Sequence, residues 1–383
     1  MTATHLLVKS DGVIDGLLPE VLQACRAEGL QANVLGLVQL TWADIRAWGP
    51  FVQHLPDREQ VLDYLSGPGI LVEVVGDDAL AQAARVKRSV RQRHRNERLR
   101  NVLHTPDDEQ ASVRERQIFN RRLLAGQHAS TAPGITVSRA EGRTVAAVQP
   151  CFFPWPGQLA MAARADLFVF LDTAMWASGR RYARNEIDAG TTLTVPLRSG
   201  RSRLRLNEVR TRPWEEWVPS HEKTLDLVYG RRRVSGMAPV DVYREAMRGV
   251  DIDGEGTSSL TAVTMRSTRV LADRLMVDTP LLCASAIGVD FAGPPDATGK
   301  LVELCIRLGA TRYLSGPLAR SYLNPSGFAN AGVTLEFVEY TPYAYRGDQG
   351  PVSFSALDLI ARRSDAAELL EHWLAPSDLV EGA

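Results

Sequence analysis

Cysteine is scarce. Cys25, Cys151, Cys283 and Cys305 are the only four in 383 residues, and no two form a C-x-x-C pair. This argues against a disulfide scaffold or a cysteine-built zinc site and fits a reducing compartment. Long apolar runs are missing too. None approaches the roughly 18 residues that cross a bilayer. The opening MTATHLLVKSDG has only three apolar residues in a row before Lys9 and Asp11, so neither a membrane span nor a secretory leader is expected. Neither sign of charge dominates: the formal net charge is −1, and no global field marks a nucleic-acid or membrane binder. No internal repeat is visible. What remains is an ordinary globular composition, 45% hydrophobic and 23% charged, in a chain long enough for two or three domains. A cytoplasmic protein is expected.

One composition break divides the chain. Residues 120–144 lose periodicity and gather Gly, Ala, Ser, Thr and Pro, which marks a linker. We place it at 121–142, between a first domain over 1–120 and a second over 143–375. In the first, the strand-like runs HLLVKS, ANVLGLVQL and GILVEVV alternate with helical stretches. LLPEVLQACRAEGL sets Leu18, Val21, Leu22 and Cys25 at amphipathic spacing. DDALAQAARVKRSVRQRHR opens on two aspartates suited to a positive helix end. A short strand or turn at RNVLH precedes a last helix from PDDEQASVRERQIF. The order β-α-β-α-β-α-β predicts a ferredoxin-like α+β domain. The second domain offers strands at TVAAVQP, DLFVFLD, TTLTVPLR, RLRLNEVR, TRYLSG and VTLEFVEY, with helices at QLAMAARA, TAVTMRSTRVLADRLM and KLVELCIRLG. It reads as a larger α/β domain whose first loop lies at a strand C-terminal end. The chain as a whole is α/β.

Polar residues in the first domain converge on a phosphate. Lys9 closes a strand before the turn Ser10-Asp11-Gly12. Residues 85–100 hold eight cations, Arg85, Lys87, Arg88, Arg91, Arg93, Arg95, Arg98 and Arg100, against Glu97 alone. Such a run is often just a solvated helix face, but this density also suits a polyphosphate or nucleic-acid surface. It has no interleaved aromatics, so a base-stacking platform is not indicated. Asn101, His104 and Glu115 follow. A histidine among cations should titrate low and leave a neutral imidazole able to attack phosphorus, while a carboxylate holds its other nitrogen. VKSDGV, YLSGPG, RNVLHTPDD and SVRERQIF, in that order, resemble the K-P-D-x-V, Y-x-x-S-G-P, R-N-x-x-H-G-S-D-S and S-A-x-x-E-I segments of nucleoside diphosphate kinases. The resemblance implies His104 as phosphoacceptor, Glu115 as its supporting carboxylate, and Lys9 and Asn101 as phosphate or ribose contacts. It also implies Arg85 or Arg88 as a phosphate-binding arginine, Arg100 as a further nucleotide or phosphate contact, ATP or another nucleoside triphosphate with Mg²⁺ as cofactors, and a possible homo-oligomer. The segment between the basic helix and R-N-x-x-H is shorter than in those kinases, and Pro106 replaces a serine.

The second domain carries Gln149-Pro150-Cys151-Phe152-Phe153-Pro154-Trp155-Pro156-Gly157-Gln158. This rigid aromatic loop after a strand suits anion binding at a helix start and stacking of a ring. The alternative is that its aromatics form core beneath the loop. QPCFFPWPGQ, ADLFVFLDTAMW, ARNEI, LTVPL, WVPSH, TRYLSG and FSALDLI together resemble the WbqC-like proteins over about 143–363. That resemblance implies a biosynthetic transferase or ligase. The candidate site here is Gln149, Phe153, Trp155, Asp172, Arg184, Asn185 and His221. Asp172 lies where α/β sites gather, or else caps a helix; Arg184-Asn185 suits a carboxylate or phosphate. Cys151 has no histidine near it in sequence and is not expected to be a nucleophile. The expected activity is transfer from a nucleoside triphosphate through His104, with a second transfer or ligation to an anionic small-molecule acceptor in the second domain. The alternative is a first domain that only binds nucleotide, with all chemistry, RNA-linked aminoacyl transfer included, in the second.

Overall fold

In the computed structural model the chain forms two compact units, Met1–Glu141 with Ala286–Gly288 and Ile306–Gly309, and the remainder from Gly142. Residues 1–94, 101–128, 135–137, 140–179, 181–230, 238–293, 296–341, 345–346 and 354–374 are described. Among them no helix is long and apolar enough to cross a membrane.

The first unit is built on strands β1 (Thr2–Val8), β2 (Gln31–Gln39), β3 (Pro68–Gly76), β4 (Leu103–His104), β5 (Leu123–His128) and β6 (Ile135–Val137), in the order β4-β1-β3-β2-β5-β6. Every pairing in this sheet is antiparallel. The first four strands in the order 4-1-3-2 are the ferredoxin-like arrangement. The last two, which fall in the segment read as linker, continue its edge. The helices are α1 (Ser10–Ile14), α2 (Leu18–Ala27), α3 (Trp42–Trp48), α4 (Arg58–Leu65), α5 (Ala79–Arg93) and α6 (Glu109–Arg121). Helix α5 starts where the Asp78 carboxylate accepts from Ala81 N–H and buries Ala79, Ala83, Val86 and Val90. Helix α6 is capped in the same way by Asp108. Its buried stripe of Ala111, Ile118 and Phe119 contains one charged residue, Glu115. A carboxylate in a core stripe is the informative exception on such a helix.

The second unit contains β7 (Thr144–Val148), β8 (Leu167–Phe170), β9 (Arg184–Asp188), β10 (Thr191–Thr194), β11 (Leu281–Cys283), β12 (Arg312–Ser315) and β13 (Thr334–Phe337). Its helices are α7 (Pro156–Ala163), α8 (Val218–Tyr229), α9 (Pro239–Arg248), α10 (Leu260–Arg274), α11 (Ala284–Ile287), α12 (Ala297–Arg307), α13 (Pro325–Asn330), α14 (Ala356–Arg362) and α15 (Ala366–Glu371). The main sheet runs β11-β8-β7-β12-β13 with all pairings parallel; β9 and β10 form a separate antiparallel pair. The uninterrupted apolar Leu-Phe-Val-Phe of β8 is buried throughout, as a strand covered on both faces requires. Counted within this sheet, the order is 3-2-1-4-5, and the winding reverses between β7 and β12. The strand expected over 203–210 is instead two short 3₁₀ turns, Arg201–Arg203 and Leu206–Glu208. The fully buried residues there, Leu206 and Val209, are three apart, which suits a 3₁₀ turn and not alternation along a strand.

Candidate functional site

In the first unit, the turn before β4 is held from several sides. Val102 sits at φ 46°, a left-handed conformation that a β-branched residue adopts only under constraint. The Val102 carbonyl accepts from Lys9 N–H at 2.8 Å, and its own N–H donates to Asp11 at 3.2 Å. Tyr64 bridges the two sides: its hydroxyl donates to Asp11 at 2.8 Å and accepts from Asn101 N–H at 3.2 Å. Gly12 makes this approach possible, since a Cβ there would lie 2.9 Å from both the Val102 carbonyl oxygen and Val8 Cγ1. The strained turn fixes the Asn101 side chain, whose Oδ1 accepts from Lys9 Nζ at 2.6 Å and from Arg91 Nη2 at 3.1 Å. Arg91 also donates to the Leu103 carbonyl at 2.7 and 3.0 Å. Lys87 Nζ reaches the Thr105 carbonyl at 3.3 Å and Asp107 at 3.5 Å.

His104 follows on β4, opposite Leu7 of β1. Its Nε2 is 2.8 Å from Glu115 Oε2, which His5 Nε2 also approaches at 3.3 Å. Trp48 lies edge-on to the His104 ring, 4.9 Å between centroids. Burial lowers the His104 pKa first, with Lys9 and Lys87 adding to it, against the pull of Glu115. The cations contribute, but the burial that the sequence left unread dominates. Burial alone would raise the Glu115 carboxyl; hydrogen bonds from His104, His5 and Trp48 outweigh it and hold the group far below its usual range. With Glu115 ionised, Nε2 is the donor and Nδ1 keeps its lone pair. Burial, then the nearby Arg91, brings Lys9 down to about 7, with Asp11 opposing.

Of the first-domain candidates, Lys9, Asn101, His104 and Glu115 form one connected cluster, but Arg85 and Arg88 do not join it. Arg85 pairs with Glu28 at 2.7 Å, Arg88 is exposed, and Arg100 falls outside the described residues. The phase of α5 explains the difference. With Val86 and Val90 facing the core, Lys87 and Arg91 flank that stripe on one side, one turn apart, and Arg85 on the other. Their i, i+4 spacing does not single them out in the sequence, because Arg91 and Arg95 share the same step.

In the second unit, a cavity of about 710 Å³ opens where β7 and β12 end, with Gln149 and Trp155 in its wall beside Lys300, Ser315, Tyr322 and Tyr340. It therefore occupies the reversal point of the sheet, where open α/β folds bind ligands. The Trp155 ring folds over Gly157, where a Cβ would lie 2.3 Å from the indole, and meets Tyr340 edge-on at 4.6 Å. Gln149 accepts from the Tyr182 hydroxyl at 3.1 Å.

The other candidates lie elsewhere. Phe153 is fully buried and stacks on Tyr243 at 5.5 Å, and its carbonyl accepts from Asn185 Nδ2 at 2.7 Å. Both residues shape the loop from beneath. Asp172 is buried at the end of β8 and bonds the Ser285 N–H and hydroxyl; burial raises its pKa. Arg184 is exposed and makes no ion pair among the described residues. Burial pushes the Cys151 thiol up to about 12. His221 is a buried histidine with both nitrogens engaged, on the Thr194 carbonyl at 3.0 Å and the Tyr243 hydroxyl at 2.9 Å. Burial lowers its pKa to about 4, against the Thr194 hydrogen bond. The unfolded chain thus binds the extra proton first, so this stability is present above about pH 6.5 and lost as pH falls toward 4. The expected loss is roughly 3 kcal/mol across that window, and His221→Gln should flatten it in urea unfolding at pH 7 and pH 4.5. An equally steep pH dependence in the variant would assign it to other groups.

The profile of the WbqC-like protein family matches residues 149–368. The uncharacterized protein Rv1507c of Mycobacterium tuberculosis (strain ATCC 25618 / H37Rv) is 25% identical over 205 residues, which cover 52% of this chain and 84% of that protein. A nucleoside diphosphate kinase of Listeria monocytogenes serotype 4b (strain CLIP80459) is 28% identical over 132 residues, 31% of this chain and 88% of the kinase. The crystal structure of the Aquifex aeolicus nucleoside diphosphate kinase superposes with a TM-score of 0.28 and 17% identity, covering 32% of this chain and 98% of that one.

Proposed function

The chain belongs to the WbqC-like protein family, whose profile covers residues 149–368, and we propose that it is a two-unit transferase whose first unit moves a phosphoryl group from a nucleoside triphosphate through His104. The observation that carries this reading is the 2.8 Å hydrogen bond from His104 Nε2 to Glu115, which leaves Nδ1 with a lone pair on a ring that lies within the field of Lys9 and Lys87. Nδ1 attacks the γ-phosphorus; an N–P bond forms as the bond to the bridging oxygen breaks, and the nucleoside diphosphate leaves with that electron pair. Glu115 stabilises the imidazolium that develops, with the Nε2 proton held between them. An acceptor oxygen then takes the phosphoryl group and frees the ring. Lys9, Lys87 and Arg91 supply charge for the transferring group. The side chains around the site are the cations Lys9, Lys87 and Arg91 and the amide of Asn101, so Mg²⁺ would be held mainly by the nucleotide phosphates and water. When bound, the ion would neutralise phosphate charge. The acceptor is an anionic small molecule, and the second unit carries the further transfer or ligation.

Incubation with γ-labelled ATP and Mg²⁺ tests the reading. Acid-labile, base-stable label on the protein is expected, and its absence at saturating nucleotide would refute the phosphohistidine. The pH profile adds a second check. A ring with a lowered pKa stays neutral as pH falls through 6.5, so the second-order labelling rate should decline only under more acidic conditions. Above about pH 7 it should fall as Lys9 in the nucleotide-free protein loses its proton, and Lys9→Arg should remove that alkaline limb.

A further inference from the structure

We propose that the cavity at the ends of β7 and β12 is a second nucleotide site, which takes a nucleoside diphosphate with its base against the Trp155–Tyr340 wall and its phosphates on Lys300. Four observations point the same way. The position is the winding reversal of a parallel 3-2-1-4-5 sheet, where such folds hold mononucleotide ligands. The volume, about 710 Å³, suits a ligand larger than a single ring. Trp155 and Tyr340 are set edge to face at 4.6 Å, and Tyr322, 63% exposed, stands in the same lining; together they offer flat apolar surface for a base. Lys300 gives the site its ammonium. Asp296, just before the helix that carries Lys300 and itself in the cavity wall, accepts from Gly299 N–H at 2.8 Å. No ion pair to Lys300 occurs among the described residues. An ammonium without an ion pair among the described residues, on an aromatic-walled cavity, suits an anion joined to a ring.

This site is independent of the His104 cluster, and calorimetric titration of the full chain with UDP, uridine and pyrophosphate separates the two. UDP is expected to bind more tightly than either fragment. Lys300→Ala should weaken UDP at one site by about ten-fold or more and leave uridine unchanged. Trp155→Phe, which keeps an apolar ring over Gly157, should weaken UDP and uridine alike. Arg91→Ala removes only the component due to the His104 cluster. UDP binding that Lys300→Ala leaves intact in affinity and stoichiometry, or that Arg91→Ala alone abolishes, would overturn the inference. So would a chain that binds no UDP, or one that binds uridine as tightly as UDP.

Discussion

His104→Ala is expected to bring acid-labile labelling from γ-labelled ATP down to background, about 10⁴-fold or more in rate, because no other group replaces the nucleophile. Nucleotide binding should survive, since the phosphate contacts come from Lys9, Lys87 and Arg91. Glu115→Gln makes the sharper test. Glu115 fixes the tautomer by accepting from Nε2 at 2.8 Å, whereas a glutamine can present its N–H₂ to the ring. That would put the ring proton on Nδ1, the nitrogen required to attack. A loss of about 10²–10⁴-fold in labelling rate with little change in nucleotide affinity is expected, the pattern of a group that orients another. Arg91→Ala should cost about 10²–10³-fold, the usual scale for removing one donor from a transferring group. If His104→Ala retains the label, the phosphoacceptor is another residue. If Glu115→Gln is neutral, the carboxylate has only a packing role.

Much of the first unit was legible because its chemistry lies in short, ordered segments. The strand runs, the capped helices and the eleven-residue step from His104 to Glu115 all depend on local spacing. What was not legible depends on phase and on distance. Choosing Lys87 and Arg91 over Arg85 and Arg88 requires knowing which side of the α5 core stripe faces β4, and a run with eight cations hides that. Trp48, on a helix the sequence reading did not anticipate, and the strained Val102 turn are set by partners far along the chain. In the second unit, Gln149 and Trp155 follow β7 directly, so strand logic alone pointed to their neighbourhood. Lys300, Tyr322 and Tyr340 come from sequence more than 140 residues away, and only the parallel order of the sheet brings them into the same wall. Phe153, Asn185 and His221 lie in the motif-rich segments yet serve as its support, because polar motif residues buried with satisfied partners stabilise a loop as readily as they bind a ligand.

Asp358→Ala should strongly destabilise the second unit. The residue sits on α14 within the buried run Ala356–Ala361, and its side chain is 0% exposed. Its carboxylate accepts from the Tyr345 hydroxyl at 2.7 Å, from Arg346 at 2.6 and 2.7 Å, and from Arg362 at 2.7 Å. Arg346 is held in turn by Asp188 at 2.5 Å, which ties α14 to the end of β9. Removing one partner from such a buried set leaves a guanidinium that is 5% exposed without its main counter-charge, a change worth about 3–5 kcal/mol. Arg362→Ala should cost far less, about 1 kcal/mol, because its side chain is 22% exposed and water compensates in part. Urea unfolding of the full chain, followed by near-ultraviolet circular dichroism, should show an earlier transition for the second unit with an unchanged slope. A loss below about 1 kcal/mol for Asp358→Ala would mean that the cluster relaxes around water and that the buried charge adds little to stability.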